Sequence, residues 1–306
     1  MNDQPSWVGD WCRRELDAAP VEQMLAADVM SDVRAVRLDD GRVVVLKARL
    51  AADAERAGRC VAVQRQIAEK AFPCARPLTG VSVVEHLAVH AEEWRPGGEI
   101  ERDTGPGAAV RSARLLAALM ALLDGIEAEP PLPSPEWVNW GHDGPGLFPP
   151  NPRHDPLAAR VTLPAVIDDT ARRARARLLG TTLPRVVGHA DWEAQNLRWD
   201  GREPHTVHDW DSLAWLPEAA LVGAAAGAFA SAETPTLASL ESSEAFLAAY
   251  QRARRPFDAE ELEVAWAASL WPALHNGRAE ILYDQPHVAF AQLEQQAAER
   301  LARASA

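Results

Sequence analysis

Two polar clusters, each at the end of a short β-rich run, constrain this chain more than any other feature of its sequence. The first run, Arg185–Gly188, leads into His189-Ala190-Asp191 and, five residues after the aspartate, Asn196. The second, His205–Asp209, ends in His208-Asp209-Trp210-Asp211. A short apolar run bounded by polar residues reads as a buried strand. The fold must therefore bring strand ends carrying carboxylates, imidazoles and an amide to where they can be used.

The pattern is H-x-D-x-x-x-x-N followed by an apolar residue and an aspartate, and its residue types suit phosphoryl transfer. That reaction needs a carboxylate to accept or orient a hydroxyl, and Mg2+ to neutralise the phosphates. Mg2+ prefers oxygen ligands, here one amide carbonyl and one carboxylate. On this reading Asp191 is the base, and Asn196 and Asp209 are the metal ligands. Asp and Asn are also common in turns, but the mutual spacing favours the chemical reading. A transition-metal site on His189, Asp191, His205 and His208 is disfavoured, because no HExxH or Cys/His framework accompanies them.

The rest of the chain sets the frame. Its 306 residues suffice for one large domain or two lobes. A net charge of -13 argues against a nucleic-acid partner and is compatible with a cationic substrate. The opening MNDQPSWVGDW lacks the basic and apolar regions of a signal peptide. No uninterrupted apolar run reaches the roughly 20 residues of a membrane helix, so no membrane partner is expected. Cys12, Cys60 and Cys74 form no CxxC pair and read as reduced thiols in a cytoplasm. The only two lysines are Lys47 and Lys70, so each is a position where arginine has not served.

Along the chain, Ser6–Ala27 reads as a helix with some turn character. Val33–Leu38 and Val43–Leu46 flank Asp39-Asp40-Gly41-Arg42, a strong hairpin signal. A helix is expected over Asp53–Lys70, then short strands near Val81–Val84 and Leu87–Glu92, then a break at Arg95–Gly98. Ala108–Leu123 and Leu163–Leu179 read as helices, the latter with Arg172, Arg173, Arg175 and Arg177 on a solvated face. The Pro/Gly/Trp-rich stretch 129–164 between them reads as irregular. From Glu218 onward the chain reads as helical, broken near Arg255-Pro256 and Pro286. The order is a small β-rich lobe, residues 1–94, and a larger helical lobe, residues 95–306.

The two clusters resemble the aminoglycoside phosphotransferase and choline kinase-like family, whose loop reads H-G-D-x-x-x-x-N and whose metal aspartate sits in I-D-W-[DE]. Ala190 stands for the usual Gly, and His208-Asp209-Trp210-Asp211 matches the second motif. The resemblance extends upstream. Lys47 ends an apolar strand as the family's phosphate-binding lysine does, and Met30-Ser31-Asp32 falls where the family has its phosphate-covering loop. Glu93-Trp94-Arg95-Pro96-Gly97 matches the hinge whose backbone pairs with adenine. The resemblance implies an α+β, protein-kinase-like bilobal fold with a roughly five-stranded antiparallel sheet in the first lobe. It implies ATP and Mg2+ as cofactors, His189 supporting the loop and Asp211 supporting the metal site or loop. The acceptor it implies is a small-molecule hydroxyl. Aminoglycoside or other antibiotic-like, cationic acceptors stand beside choline-like, sugar and amino-alcohol metabolites.

One departure is evident. The helix glutamate that pairs with the strand lysine in kinases should fall near Cys60 or Ala62, and neither is acidic. Either Glu55 reaches Lys47 or the pair is absent. A nucleotide-binding protein with little catalysis is the alternative this raises. For the acceptor, Trp137 and Trp140 are candidates for a substrate wall, Trp192 for a core anchor. Acidic candidates are Glu218, Glu233, Glu241, Glu244 and Asp284, and the aromatic-polar stretch 271–284 is a candidate lining.

Overall fold

Alternation about the Asp39–Arg42 turn builds the first sheet, with Gly41 at φ 88° supplying the left-handed step. The computed structural model describes residues 5–28, 31–126 and 132–306. The turn joins β2 (Asp32–Leu38) to β3 (Val43–Leu50), and these belong to a five-stranded antiparallel sheet. The other members are β1 (Pro20–Asp28), β4 (Ser82–Val84) and β5 (Leu87–Glu93), in the order β1-β2-β3-β5-β4. Because side chains alternate along a strand, the two faces differ in kind. Val36, Leu38, Val44, Leu46, Val89 and Ala91 join a core with Trp7, Val8, Trp11, Cys12 and Leu16 of helix α1 (Ser6–Leu16). Burying each such large apolar side chain contributes about 1.5–3 kcal/mol. Lys47 falls on the opposite face from Leu46 and stands opposite His90 in the ladder.

The helix expected over Ser6–Ala27 stops at Leu16, and its second half is strand β1. Asp17 takes a left-handed conformation at φ 55°, and Pro20 begins the strand. Pairing along β2, with two bulges, overrides the helix preference of Glu22–Ala27. Helix α2 (Ala54–Glu69) lies close to its expected bounds and buries Ala57, Cys60, Val61, Gln64 and Ile67 at helical spacing.

The chain divides into two compact units: 1–98 with 205–211, and 99–204 with 212–306. The segment 205–211 is held within the first unit by backbone pairing of Val207 with Cys74 and by Val207 N donating to Pro73 O at 2.7 Å. Phe72 packs edge-on against Trp210.

The second unit is mainly helical. Strand β6 (Glu99–Ile100) precedes helix α3 (Pro106–Leu123), the short α4 (Asp155–Ala158) and α5 (Ala165–Leu179). Strands β7 (Arg185–His189) and β8 (Leu197–Asp200) follow, and β9 (Glu203–Val207) runs on into the first unit. Strand β10 (Leu213–Pro217) pairs antiparallel with β7, setting His189 opposite Leu213. Five helices complete the chain: α6 (Glu218–Ala228), α7 (Leu240–Ala253), α8 (Ala259–Ala268), α9 (Trp271–Leu282) and α10 (Val288–Arg303).

Helix α3 is long and apolar enough to cross a membrane by length and composition, yet Ala109, Ala113, Leu116, Leu119 and Met120 are buried in this unit's core. Helices α6 and α8 cross closely: a Cβ on Gly223 would stand 2.1 Å from Ala265 O, and one on Gly227 2.1 Å from Ser269 O. The arginine face expected on α5 is only partly solvated. Arg175 donates to the carbonyls of Trp140 and His142, and Arg177 pairs with Glu263 of α8.

Candidate active site

In the second unit, strand β7 delivers His189 to a loop that its own polar groups hold closed. Asp191 N donates to His189 Nδ1 at 3.2 Å, which fixes that nitrogen as acceptor. Ala190 N donates to Ser212 O at 2.9 Å, tying the loop to the chain just before β10. The Asn196 amide donates twice to Asp191, to its backbone O at 3.0 Å and its Oδ2 at 2.8 Å. The Asn196 carbonyl oxygen is a donor type that fits Mg2+. Trp192 lies beneath the loop as expected of a core anchor, buried, with its indole donating to Ser112 Oγ at 3.0 Å. Glu193 accepts from Gln195 Nε2 at 2.6 Å.

In the first unit, Lys47 is buried, and its ammonium lies 3.2 Å from Glu92 Oε1 on the neighbouring strand β5. Of the two expectations for this lysine the second holds: Glu55 is exposed and pairs with Arg59, so the helix pair is absent, and the acidic partner lies on the sheet instead. Helix α2 contributes Gln64, whose amide donates to Glu92 Oε2 at 3.0 Å and to Ala75 O at 2.9 Å. Burial pushes the Glu92 carboxyl up, but the Lys47 ammonium beside it, with Gln64, brings it below its ordinary value. His90, across the ladder from Lys47, is driven down to about 4 by burial and stays neutral near pH 7.

Asp209, in this same unit, adopts φ 58°, a left-handed conformation that costs a non-glycine residue about 1–3 kcal/mol. Asp211 is buried, ion-paired with Arg49, and its backbone O accepts from Arg56 Nη1 at 2.9 Å. A carboxylate in a tight turn is again an oxygen donor suited to Mg2+.

The hinge stretch is fixed on one side. Glu93 N donates to Arg76 O at 2.9 Å, and Arg95 donates to Cys74 O and His205 O. Trp94 is half-buried, and Gly97 and Gly98 both have positive φ. Ser31 is half-buried in a bend at the start of β2, while Met30 lies outside the described residues.

The second unit holds a further polar cluster that sequence spacing did not signal. Glu136 sits in a single turn of 3-10 helix, Glu136–Val138, and accepts from Asn151 Nδ2 at 2.5 Å. His154 Nδ1 and His275 Nδ1 lie 3.4 Å and 3.9 Å from Glu136 Oε1. Arg278, buried, faces Phe148 at 4.8 Å and reaches Asp155 at 3.7 Å. Glu136 Oε1, His154 Nδ1 and two guanidinium nitrogens of Arg278 are buried without a hydrogen-bond partner. Burial pushes His275 down to about 3 and also lowers His154, so both rings are neutral. The cluster adjoins the loop, because Trp137 donates its indole N–H to Ala190 O at 3.0 Å.

Trp140 is no substrate wall: it is buried and packs edge-on against Trp271. Of the acidic candidates, Glu218 is buried and accepts from Tyr250 Oη at 2.6 Å and Arg254 Nε at 3.0 Å, a structural role. Glu233 pairs with Arg102, and Glu244 with Arg303. Glu241 lies in the first turn of α7, and Asp284 follows α9 at φ 52°.

The model of the phosphotransferase enzyme family (APH) matches residues 23–238. No curated protein matches the chain. Among solved structures, amicoumacin kinase, in complex with AMP-PNP, Ca2+ and Ami, is 12% identical with a TM-score of 0.64, covering 92% of this chain and 88% of that one. A thermostable mutant of an aminoglycoside phosphotransferase, in ternary complex with ADP and hygromycin B, is 14% identical with a TM-score of 0.57, covering 99% and 100%. A structure described as a fructosamine-3-kinase from Thermobifida fusca is 15% identical with a TM-score of 0.57, covering 99% of both chains. These likenesses establish the fold as the α+β, protein-kinase-like one.

Proposed function

We infer the reaction from the premise that this chain belongs to the phosphotransferase enzyme family: it transfers the γ-phosphoryl group of ATP to a hydroxyl of a small molecule. One observation carries this reading further than family membership. The Asn196 amide holds both the backbone and the carboxylate of Asp191, which supports Asp191 as the base. The amicoumacin kinase and aminoglycoside phosphotransferase complexes, which contain AMP-PNP with Ca2+ and ADP, support ATP with Mg2+ here.

In this reaction Asp191, with Oδ2 restrained by Asn196, takes the proton of the acceptor hydroxyl as the hydroxyl oxygen attacks the γ-phosphorus and the bond to the β–γ bridging oxygen breaks, releasing ADP. His189, accepting from Asp191 N, keeps the loop in shape. Asn196 and Asp209 are the residues that would hold Mg2+, which neutralises phosphate charge when bound. Asp211, paired with Arg49, supports the turn that carries Asp209. Lys47 binds the phosphates, Ser31 covers them, and the backbone of Glu93, Trp94 and Arg95 pairs with adenine. The nucleotide belongs to the lobe of residues 1–94, and the acceptor to that of residues 95–306. The cytoplasm is the proposed compartment, supported by three cysteines that are free thiols.

The acceptor is a hydroxylated, amine-bearing molecule of antibiotic type. The likeness to the amicoumacin kinase and hygromycin B-bound phosphotransferase structures supports this acceptor class. The likeness to fructosamine-3-kinase favours a second reading, a kinase for a sugar or amino-alcohol metabolite. Substituting Asp191→Ala tests the mechanism. Turnover should fall at least about 100-fold with Mg-ATP affinity retained. Wild-type turnover in this variant would refute the assignment of the base.

A further inference from the structure

In kinase-like enzymes the strand lysine is held by a glutamate of the neighbouring helix. The described residues of α2 offer no such acid: its one acidic residue near the start, Glu55, is exposed and bound to Arg59, and its buried polar residue is the neutral Gln64. We propose that Glu92, on strand β5, takes the place of that helix glutamate and positions the Lys47 ammonium for the nucleotide phosphates. This rests on the reading of Lys47 as a phosphate-binding residue.

The geometry follows from the ladder. Lys47 faces His90, so Glu92, two residues further along the same strand, is its diagonal neighbour on the same face of the sheet. The Nζ–Oε1 distance is 3.2 Å, and the two side chains are only 9% and 4% exposed. A buried ammonium needs a fixed, charged partner, and one that is also hydrogen-bonded by a third group is held in a single geometry. Gln64 is that third group.

The placement has a consequence for the catalytic cycle. An ion pair between helix and sheet forms or breaks as the helix moves. An ion pair between adjacent strands of one ladder is assembled with the sheet, before any nucleotide arrives. Here the α2 side chain that meets Glu92 is the neutral amide of Gln64. Lys47 is therefore pre-positioned in the free protein, and Glu92 acts through Lys47 as a positioning residue that does not touch the substrate.

The test uses the full chain with Mg-ATP and whichever acceptor supports turnover. Lys47→Ala should lower kcat/KM for ATP about 100-fold or more, and wild-type kinetics in this variant would overturn the underlying reading instead. Glu92→Gln should lower it at least about tenfold, while Glu55→Gln stays within about twofold. The double variant Glu92→Gln/Gln64→Glu returns a carboxylate to the same ammonium from the helix side. It should recover most of what Glu92→Gln loses, an outcome that a purely structural role for Glu92 does not predict. Folded Glu92→Gln with wild-type kcat and KM overturns the proposal, as does a folded double variant no better than the single.

A reading that requires no variant comes from the wild-type protein labelled with 15N at the lysine side chains, which has only two such signals, Lys47 and Lys70. The Lys47 ammonium protons should exchange slowly both in the free protein and with Mg-AMP-PNP bound. Exchange as fast as that of exposed Lys70 in either state would overturn the proposal.

Discussion

Acid should weaken this protein through His90, and the size of the effect follows from its position. The ring is 4% exposed and stands opposite Lys47 in the ladder, so protonation would place a second cation on a buried face. Its folded-state value is about 4 against 6.5 for an ordinary imidazole, a depression caused first by burial. Between those two values the unfolded chain binds a proton that the native state refuses, so stability falls as pH falls. Each tenfold difference in proton affinity between the folded and unfolded chain corresponds to about 1.4 kcal/mol, and the gap between 6.5 and about 4 makes the whole effect about 3 kcal/mol. The stability is fully present above about pH 6.5 and lost progressively toward pH 4. Urea denaturation of the wild type and of His90→Leu at half-unit intervals from pH 7.5 to pH 4.5 reports this contribution together with its coupling to Glu92, because His275 and the distant carboxylates are common to both. The difference between the two proteins should change by about 1.4 kcal/mol per pH unit below pH 6. Parallel pH profiles would refute the buried, neutral state of His90.

Other expectations concern packing and the loop. Asn196→Ala removes the two hydrogen bonds that Asn196 donates to Asp191, and turnover should drop by about 100-fold or more in a steady-state assay, with the fold retained by circular dichroism. Gly223→Ala should cost at least about 1–3 kcal/mol in chemical denaturation, because the new Cβ would meet the Ala265 carbonyl at 2.1 Å. Gly58→Ala in α2, where a Cβ meets nothing within 4 Å, should instead stabilise by about 0.5–1 kcal/mol. Arg300→Met strips donors from Ala238 O, Ser243 Oγ, Ser269 Oγ and Gln296 Oε1 in a buried site, and should lower stability by about 1–3 kcal/mol per acceptor left unpaired. Cys12 and Cys74, whose thiols burial pushes up to about 11 and about 12, should react with a disulfide reagent only after denaturant is added.

The sequence is most readable where a signal is local. The Asp39–Arg42 hairpin, helix α2 and the His189–Asn196 loop each depend on residues within a few positions of one another, so spacing reports them. Strand β1 reads as helix because Glu22–Ala27 has helix-forming residues and becomes a strand only by pairing with β2. The partner of Lys47 is unreadable for a related reason. Spacing along the chain points to the helix, whereas Glu92 is a neighbour only once the β3–β5 register sets Lys47 against His90. The Glu136, His154, His275 and Arg278 cluster is assembled from a 3-10 turn, the residue before α4, and α9, with no common period to reveal it. Trp140 looks like a loop aromatic, but its stretch folds back onto Trp271 and buries it.

The central claim is that this chain moves a phosphoryl group to a small-molecule hydroxyl, and radiolabel transfer from γ-32P-ATP measures that directly. The wild type and Asp191→Ala would each be incubated with Mg2+ and a panel of aminoglycosides, other hydroxylated antibiotics, sugars, fructosamines and amino alcohols. Label should appear on at least one acceptor with the wild type, and none above background with Asp191→Ala. Tight Mg-ATP binding with no acceptor labelled, or equal labelling by both proteins, would contradict that claim.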